Sequence, residues 1–304
     1  MTQGSAAEMK ASEMQAEKLA VFEAERPNLI SIAYRMLGEK AAAEDIVQEA
    51  WILWAENGGE HLRSPQAWLR TVTTRLAIDA LRSARARRER YVGPWLPEPL
   101  IEGSAPSPED IFAKARECEL ALLWAMERLS EEERAAFILR EVFDAGYDEL
   151  ATVLGKSEAA CRKLVSRAKQ NIREARPRFV AEEPAHLDAV SRFVQACSSG
   201  DHQTVLSLLA PDVRAVSDGG GKRRAALRVL SGQVEVAQVL LTLAAKLEFM
   251  PPPKPVRVNG RTGFAILNGS EDDMLYSVSF DESGRISWIY MMRNPDKLSL
   301  PPSA

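Results

Sequence analysis

The chain has 304 residues, of which 46% are hydrophobic and 27% charged, a composition typical of a soluble globular protein that excludes a fibrous or disordered one. The net charge of −4 gives no sign of nucleic-acid binding, but the charges are segregated along the chain. Residues 61–90 hold eight arginines against two acids, and residues 134–178 hold ten bases against six acids. Two basic blocks between acidic ones indicate two surfaces that face a polyanion.

The sequence contains no signal peptide and no apolar run of membrane length, which predicts a cytoplasmic protein without membrane association. Three widely spaced cysteines, Cys118, Cys161 and Cys197, fit a reducing compartment. None of the three histidines has ligand spacing with a cysteine or a carboxylate pair, so we expect no structural metal and no cofactor.

The N-terminal part of the chain predicts three helices. Residues 1–20 are polar and lack a strong apolar stripe, which predicts a frayed helix or a disordered tail. Apolar residues at helical spacing then predict helices over about 22–37 and 41–56. Pro65 suits the first turn of a third helix, which runs to about Arg88 and carries arginines at its polar positions.

Residues 91–110 contain five prolines and predict an extended linker rather than a helix. Trp95 and Leu96 lie inside this segment. Because a fully solvated linker has little use for a tryptophan, we expect the linker to dock on a domain surface.

Residues 111–178 predict four helices, the last two with helix-turn-helix spacing. Ser130 and Glu133 form a capping-box pattern. Farther along, Gly155 ends a short helix and Ser157 is placed to cap the next. Since the bases of that last helix fall on the face opposite its apolar residues, it predicts a recognition helix for a major groove.

The C-terminal part of the chain has a different pattern. Two helices lead into a strand near residues 213–217, a glycine-rich loop and a helix near 233–247. Strands follow at about 256–258, 262–268, 274–280 and 285–292, and the third reads as half-buried and antiparallel. This order predicts an α+β domain.

Three segments together carry a resemblance to a known family: AAAEDIVQEAWILWAE, AWLRTVTTRLAIDALRSARARRER and LSEEERAAFILREVFDAGYDELATVLGKSEAACRKLVSRAK. They resemble regions 2 and 4 of sigma-70 factors of the extracytoplasmic-function (ECF) class. The motifs WLPEP (95–99), DGGGK (218–222) and NPDKL (294–298) resemble those of a subgroup with a C-terminal SnoaL-like (NTF2-like) extension.

The resemblance implies a multidomain fold with two all-α sigma domains and a C-terminal α+β NTF2-like (SnoaL-like) cone domain. The predicted divisions are a flexible tail at 1–20, region 2 at 21–91, a linker at 92–110, region 4 at 111–180 and the C-terminal domain at 185–298.

The implied partners are the β and β′ subunits of core RNA polymerase and promoter DNA. The predicted contacts with the −35 element are Ser157, Glu158, Arg162, Lys163, Ser166, Arg167 and Lys169. Those with the −10 element are Arg63, Ser64, Arg70, Arg75, Arg82 and Arg85, and those with β′ are Asp45, Gln48 and Glu49. Many ECF factors have Asn where this chain has Arg75, so family rules of base contact do not carry over there.

In the resembling subgroup the extension regulates the sigma core in cis, with no separate anti-sigma factor. The predicted regulatory contacts are Trp95, Leu96, Pro97, Asp218, Gly219, Gly220, Gly221, Lys222, Asn294, Pro295, Asp296 and Lys297. A small-molecule ligand of this domain is an open alternative to a purely protein-contact role.

Two other functions compete with this prediction. An autonomous helix-turn-helix regulator with a ligand-binding NTF2-like domain needs neither the acidic helix around Asp45 nor the second basic block. An enzyme needs a poised acid and base, and Asp212, Asp218 and His202 form no convincing pair. We therefore expect no catalytic residues.

Overall fold

The computed structural model describes residues 3–58, 62, 64–102, 110–175, 183–246 and 253–298. The chain is divided into two units. The first comprises residues 1–86, 109–115 and 129–170, and the second comprises residues 87–108, 116–128 and 171–304.

The described elements of the first half of the chain are helices, whereas those of the second half are helices and strands. The helices are α1 (Gln3–Leu37), α2 (Lys40–Asn57), α3 (Pro65–Arg88), α4 (Ala113–Arg116), α5 (Leu120–Met126), α6 (Glu131–Glu141), α7 (Tyr147–Leu154), α8 (Glu158–Ala175), α9 (Glu183–Ser199), α10 (His202–Leu208) and α11 (Gln233–Lys246). The strands are β1 (Leu209–Asp218), β2 (Leu230–Ser231), β3 (Lys254–Val258), β4 (Arg261–Ile266), β5 (Met274–Phe280) and β6 (Ile286–Met292), and a short 3₁₀ helix covers Pro295–Lys297.

α1 begins at Gln3, so residues 3–20 are helical, and of the two predicted alternatives the disordered tail is wrong. Two hydrogen bonds to the end of α2 hold this early part of α1. Lys18 Nζ donates to the carbonyl of Ala55 at 2.8 Å, and Trp54 Nε1 donates to the carbonyl of Lys18 at 2.9 Å. Polar groups form both bonds, so the spacing of apolar residues in 1–20 did not reveal them.

In the first unit, α1 and α2 pack together, and α6 packs against α1 and α7. The capping box predicted at the start of α6 is confirmed, with Ser130 and Glu133 bonded reciprocally. Gly155, at φ 63°, ends α7 in the left-handed conformation, which costs a residue without a Cβ little.

The second unit contains a six-stranded sheet in the order β2-β1-β6-β5-β4-β3, with β1 and β6 parallel and the other pairs antiparallel. Helices α9, α10 and α11 pack on one face, where Val278 and Phe280 of β5 join the core. The α+β class predicted for this part is therefore confirmed.

The prediction that β5 is half-buried is wrong. Leu275 and Ser277, which alternate with the core-facing residues of β5, are buried as well. The helix α5, from the segment 116–128, packs against this strand. Since α5 is distant in sequence, the period-2 pattern of β5 alone gave no sign of a second covering layer.

Candidate nucleic-acid interface

The helix-turn-helix consists of α7, the turn at Gly155 and α8. Ser157 Oγ accepts a hydrogen bond from the backbone N–H of Ala160 at 3.3 Å, in the first turn of α8. Cys161, Val165 and Ala168 are buried on the inner side of α8. The bases therefore lie on the outer side, as a helix that enters a major groove requires.

The predicted −35 residues differ in how far they are engaged within the chain. Ser157, Glu158, Lys163, Ser166 and Arg167 are exposed. Arg162 is also exposed, but it pairs with Glu158 at 3.0 Å and lies 4.6 Å from the centre of the Tyr147 ring. Lys169 pairs with Glu141 of α6 at 2.8 Å. Among the predicted −35 bases, Lys163 and Arg167 are thus exposed and, within the described residues, form no ion pair.

Two arginines of α3 that the sequence assigned to the −10 element bind α7. Arg70 Nε lies 3.1 Å from a carboxylate oxygen of Glu149. Arg75 donates to the carbonyls of Thr152 and Val153 at 2.6 and 2.9 Å, at the C-terminal end of α7. A positive charge stabilises the C-terminal end of a helix, so Arg75 acts as a C-terminal cap of α7.

A third arginine of α3 binds the start of α6. Arg85 pairs with Glu131 at 2.8 Å and donates to the carbonyl of Leu129. By contrast, Arg82 pairs with Asp79 of its own helix at 3.1 Å. Ser64 Oγ accepts from the N–H of Ala67 at 3.2 Å and so caps α3. Arg63 lies outside the described residues.

Two buried guanidinium groups, which sequence reasoning missed, join α1 and α6. Arg134 is 0% exposed and its Nε donates to the carbonyl of Arg35 at 2.8 Å. Arg35 in turn donates to Ser31 Oγ at 2.7 Å and to the carbonyl of Lys114 at 3.0 Å. Arg134 falls within a polar run, EEER, so the sequence carries no sign of its burial.

The residues predicted to bind β′, Asp45, Gln48 and Glu49, are all exposed on α2. Asp45 and Gln48 line a groove of about 590 Å³ between α1 and α2. Phe22 and Trp51, whose ring centres are 4.9 Å apart, form its apolar part. The groove thus offers both apolar and acidic groups to a partner.

The linker residues near Trp95 bind the C-terminal α+β domain through one carboxylate. Asp218 is 0% exposed and accepts hydrogen bonds from Tyr91 Oη at 2.5 Å, the N–H of Leu96 at 2.9 Å, Lys297 Nζ at 2.8 Å and the N–H of Gly220 at 3.0 Å. Three segments predicted to be regulatory therefore meet at Asp218. We call Asp218, Lys297, Tyr91 and residues 95–97 the linker lock.

Lys297 completes the linker lock from the other side. Its Nζ also donates to the carbonyl of Leu96 at 2.7 Å and lies 4.1 Å from the centre of the Trp95 ring. Arg88 lies 3.3 Å from the same ring centre and pairs with Glu127 at 2.7 Å. The Trp95 ring thus makes cation–π contacts with both Lys297 and Arg88.

The remaining motif residues support the linker lock. Asn294 Nδ2 donates to Tyr91 Oη at 2.9 Å, and Lys222 pairs with Asp296 at 2.7 Å. A Cβ on Gly220, whose φ is 62°, would lie 2.5 Å from Asn294. Burial, followed by the hydrogen bond to Asp218, raises the pKa of Tyr91 above its ordinary value of 10.0. Tyr91 was not among the predicted contacts, although it stands next to the basic end of α3.

A second attachment of the linker, also missed, lies at the turn between β3 and β4. Asn259, with φ 49°, accepts from the N–H of Leu100 at 3.0 Å and donates to the carbonyl of Cys118 at 3.0 Å. Arg261 pairs with Glu119 at 2.9 Å. The Asn-Gly dipeptide at 259–260 was a sign of the turn, but not of its contacts.

No group of three or more histidine, cysteine or acidic residues suited to a metal occurs in the described part of the chain. Within the same ranges, no helix is long and apolar enough to cross a membrane.

Comparisons with known proteins agree with this geometry. The family model for sigma-70 region 2 matches residues 21–87, and the model for sigma-70 region 4 matches residues 119–172. The chain is 42% identical to the ECF RNA polymerase sigma factor SigJ of Mycobacterium tuberculosis over 75% of this chain and 74% of that protein. It is 36% identical to the probable ECF sigma factor SigI of the same species, over 66% and 69% of the two chains.

The crystal structure of M. tuberculosis SigJ is similar with a TM-score of 0.75 and 35% identity, and the match covers 92% of this chain and 97% of that one. The likeness therefore extends through the C-terminal α+β domain. An autonomous helix-turn-helix regulator is not favoured, because both matching domain models and both relatives are of sigma factors. The chain belongs to the ECF family of RNA polymerase sigma factors, with a C-terminal SnoaL-like extension.

Proposed function

We propose that this sigma factor uses α8 to bind the −35 element, α3 to bind the −10 element and the exposed acidic side of α2 to bind β′. Its C-terminal domain regulates these activities in cis by holding the linker. The linker joins the two DNA-binding regions, so a domain that fixes its path also restricts how far apart those regions can move.

The observation that carries the regulatory part is the buried carboxylate of Asp218. It binds the linker and Lys297 at once, and Lys297 is only 8% exposed. Removing one partner of a buried ion pair costs about 3–5 kcal/mol, because the remaining charge loses its compensation. Separating Asp218 from Lys297 without replacement is therefore costly, so a partner that releases the linker lock must replace its contacts.

The contacts of α3 support a closed resting state. Arg70 and Arg85 bind carboxylates, and Arg75 binds carbonyls, where the proposed function requires phosphates. Each pair is partly exposed, and such pairs contribute roughly 0–1 kcal/mol, so DNA can displace them. Promoter binding then exchanges an internal anion for a phosphate at each arginine.

The proposal includes three further points. Regulation by the linker lock requires no separate anti-sigma factor, the C-terminal domain performs no catalysis, and the protein acts in the cytoplasm with core polymerase. A small-molecule ligand of the C-terminal domain stays a prediction from the sequence.

Run-off transcription with core polymerase, on promoters identified by profiling with this protein, tests the proposal. We expect full-length protein to direct initiation and Asp218→Asn, which weakens the linker lock, to change the transcript yield several-fold. The matched control is Asp212→Asn, an exposed residue of the same strand. Equal yields from Asp218→Asn, Asp212→Asn and the unaltered protein would rule out control through Asp218.

A further inference from the structure

The C-terminal domain buries one guanidinium group that has no counter-ion within hydrogen-bond distance among the described residues. Arg293, directly after β6, is 8% exposed. Its Nη1 donates to the carbonyl of Arg224 at 2.7 Å, whereas its Nε is buried and, within the described part of the chain, has no hydrogen-bond partner. Its Nη2 lies 3.7 Å from a carboxylate oxygen of Asp272, which is beyond hydrogen-bond distance.

The unsatisfied groups of Arg293 lie on one edge of its guanidinium. The N–H of Nε and one N–H of Nη2 are parallel, and such an edge binds the two oxygens of a carboxylate in a bidentate manner. Burial of this charge is unfavourable, because the lost interactions with water are replaced only in part. The edge therefore suits an anion that approaches more closely than Asp272 does.

The hydroxyl of Tyr276 is a second hydrogen-bond donor on the same sheet face. Tyr276 of β5 pairs in register with Met291 of β6, and Arg293 lies two residues farther on, so the three side chains share that face. The Tyr276 hydroxyl contacts Met274 Sδ, a weak acceptor, and Met274 falls opposite Arg293 when the register continues by one residue. Burial raises the pKa of Tyr276 above its ordinary value of 10.0, against the opposite effect of the Arg293 charge. The hydroxyl thus keeps its proton to donate.

The two donors lie at the border between the apolar core and solvent. Tyr276 and Met291 pack with the core that the sheet forms with α9, α10 and α11, and Phe264 of β4 pairs with Tyr276 in register. On the other side, the side chain of Asp272 is 49% exposed. A ligand that matches this border carries a carboxylate next to an apolar group.

We propose that Arg293 and Tyr276 form a binding site for a small organic carboxylate with an apolar body. The carboxylate binds the Nε–Nη2 edge of Arg293 in place of Asp272 and accepts a hydrogen bond from the Tyr276 hydroxyl. Asp272 is itself a carboxylate, so it acts as an internal competitor for the site.

The site is connected to the linker lock through the main chain. The N–H of Arg293 donates to the carbonyl of Asp218 at 2.8 Å, and the next residue, Asn294, donates to Tyr91 Oη at 2.9 Å. A ligand that repositions Arg293 therefore changes the surroundings of two members of the linker lock. This regulatory effect rests on the proposed function, whereas the binding itself does not.

Isothermal titration calorimetry of full-length protein with sodium benzoate and sodium hexanoate tests the site. We expect both carboxylates to bind, and benzamide, the neutral control for benzoate, not to bind. Arg293→Lys keeps a positive charge but lacks the parallel N–H groups, so the affinity for benzoate is expected to fall about tenfold or more. Tyr276→Phe removes a hydrogen bond to a charged group and is expected to lower the affinity by about tenfold.

Asp272→Asn tests the site in the opposite direction and leaves its buried donors unchanged. Because the variant removes the competing charge, benzoate is expected to bind up to about fivefold more tightly. Glu271→Gln, the exposed acid next in sequence, is the matched control and leaves the affinity unchanged. No binding of either carboxylate, equal binding of benzamide and benzoate, or equal affinity in Asp272→Asn and Glu271→Gln would overturn the inference.

Hydrogen exchange of the Leu96 amide, which donates to Asp218, tests the connection to the linker lock. Benzoate is expected to change its rate several-fold, whereas the Leu100 amide, which is bound by Asn259, keeps its rate. An unchanged Leu96 rate under saturating benzoate would refute the connection. Failure of the carboxylate site would leave the proposed function standing, because the transcription test with Asp218→Asn requires no ligand.

Discussion

Lys297 Nζ lies 2.8 Å from Asp218 Oδ2, and both side chains are buried beneath the linker, at 8% and 0% exposure. The two charges compensate each other. Tyr91 and the N–H of Leu96 also donate to Asp218, and the carbonyl of Leu96 accepts from Lys297. The attachment of the linker at residues 91–97 therefore centres on one ion pair, whereas Asn259 holds it separately at Leu100.

Lys297→Met is expected to destabilise the full-length protein by about 3–5 kcal/mol, because it leaves the Asp218 carboxylate buried without its cation. Urea unfolding followed by circular dichroism measures the change. The control is Lys222→Met, whose exposed pair with Asp296 contributes only about 0–1 kcal/mol. Equal losses of stability in the two variants would show that the buried Lys297–Asp218 pair contributes no more than the exposed Lys222–Asp296 pair.

Glu149→Gln is expected to raise the affinity for duplex DNA by up to about fivefold, since it removes the anion that competes for Arg70. Glu131→Gln acts in the same way at Arg85. Fluorescence anisotropy with a labelled duplex measures both. Glu23→Gln, which removes an acid paired with Arg26 on α1, serves as the control for a simple change of net charge. An equal gain in all three variants would argue against a closed resting state.

Arg167→Ala is expected to reduce transcription from a promoter with a −35 element, and Arg162→Ala to do the same. A bidentate contact with guanine contributes about 1–3 kcal/mol to discrimination, whereas a phosphate contact lowers the salt slope by about one. Run-off assays on wild-type and −35-mutated promoters distinguish these roles. Lys169→Ala should have less effect because Lys169 is held by Glu141. Unchanged transcription in both arginine variants would remove them from the −35 interface.

The free energy of unfolding is expected to decrease as the pH rises above about 9. Burial raises the pKa of the Cys197 thiol from 9.0 to about 12, so the unfolded chain loses this proton first. The stabilising effect is complete below pH 9 and is lost between 9 and 12, at up to about 1.4 kcal/mol per pH unit. Cys197→Ala should flatten urea-unfolding data collected between pH 9 and 10.5. Identical pH slopes for the variant and the unaltered protein would contradict this assignment.

Asn259→Gly is expected to loosen the linker at Leu100 while keeping the left-handed turn. The variant removes the side-chain amide that bridges Leu100 and Cys118, and unsatisfied buried groups cost about 1–3 kcal/mol. Hydrogen exchange of the Leu100 amide should accelerate by about tenfold or more. Asn268→Gly, in an exposed turn, leaves that amide protected. Equal protection of Leu100 in both variants would show that the Asn259 bridge does not hold the linker.

The sequence was sufficient for the helix-turn-helix and the class of the C-terminal domain, because these depend on local patterns. The end of α7 at Gly155 and the capping box at Ser130 are examples, since each is decided within four residues. The predicted interface residues stay predictions, although the structure shows their exposure and their internal partners.

Long-range pairing could not be predicted in the same way. The local sequence predicts a surface position for Arg134, but the residue is fully buried. Its partner, the carbonyl of Arg35, lies 99 residues earlier, so no local pattern indicates the contact. The second covering layer of β5 comes from α5, for the same reason. The sequence offered Asp218 as part of a motif and as a weak catalytic candidate. Its role as the centre of the linker lock depends on Tyr91, Leu96 and Lys297, which are 79 or more residues away in sequence.

The bonds from Arg75 to the carbonyls of Thr152 and Val153 join α3 to the end of α7, the helix that precedes the recognition turn. Under the proposed function, these bonds couple the two DNA-binding regions thermodynamically. If Arg75 leaves for a phosphate, those carbonyls must turn to water and the end of α7 loses a cap worth a few tenths to about 1 kcal/mol. Binding of the −10 element would then loosen the junction in front of α8. By reciprocity, a −35 site that orders this junction would alter the affinity of Arg75 for DNA.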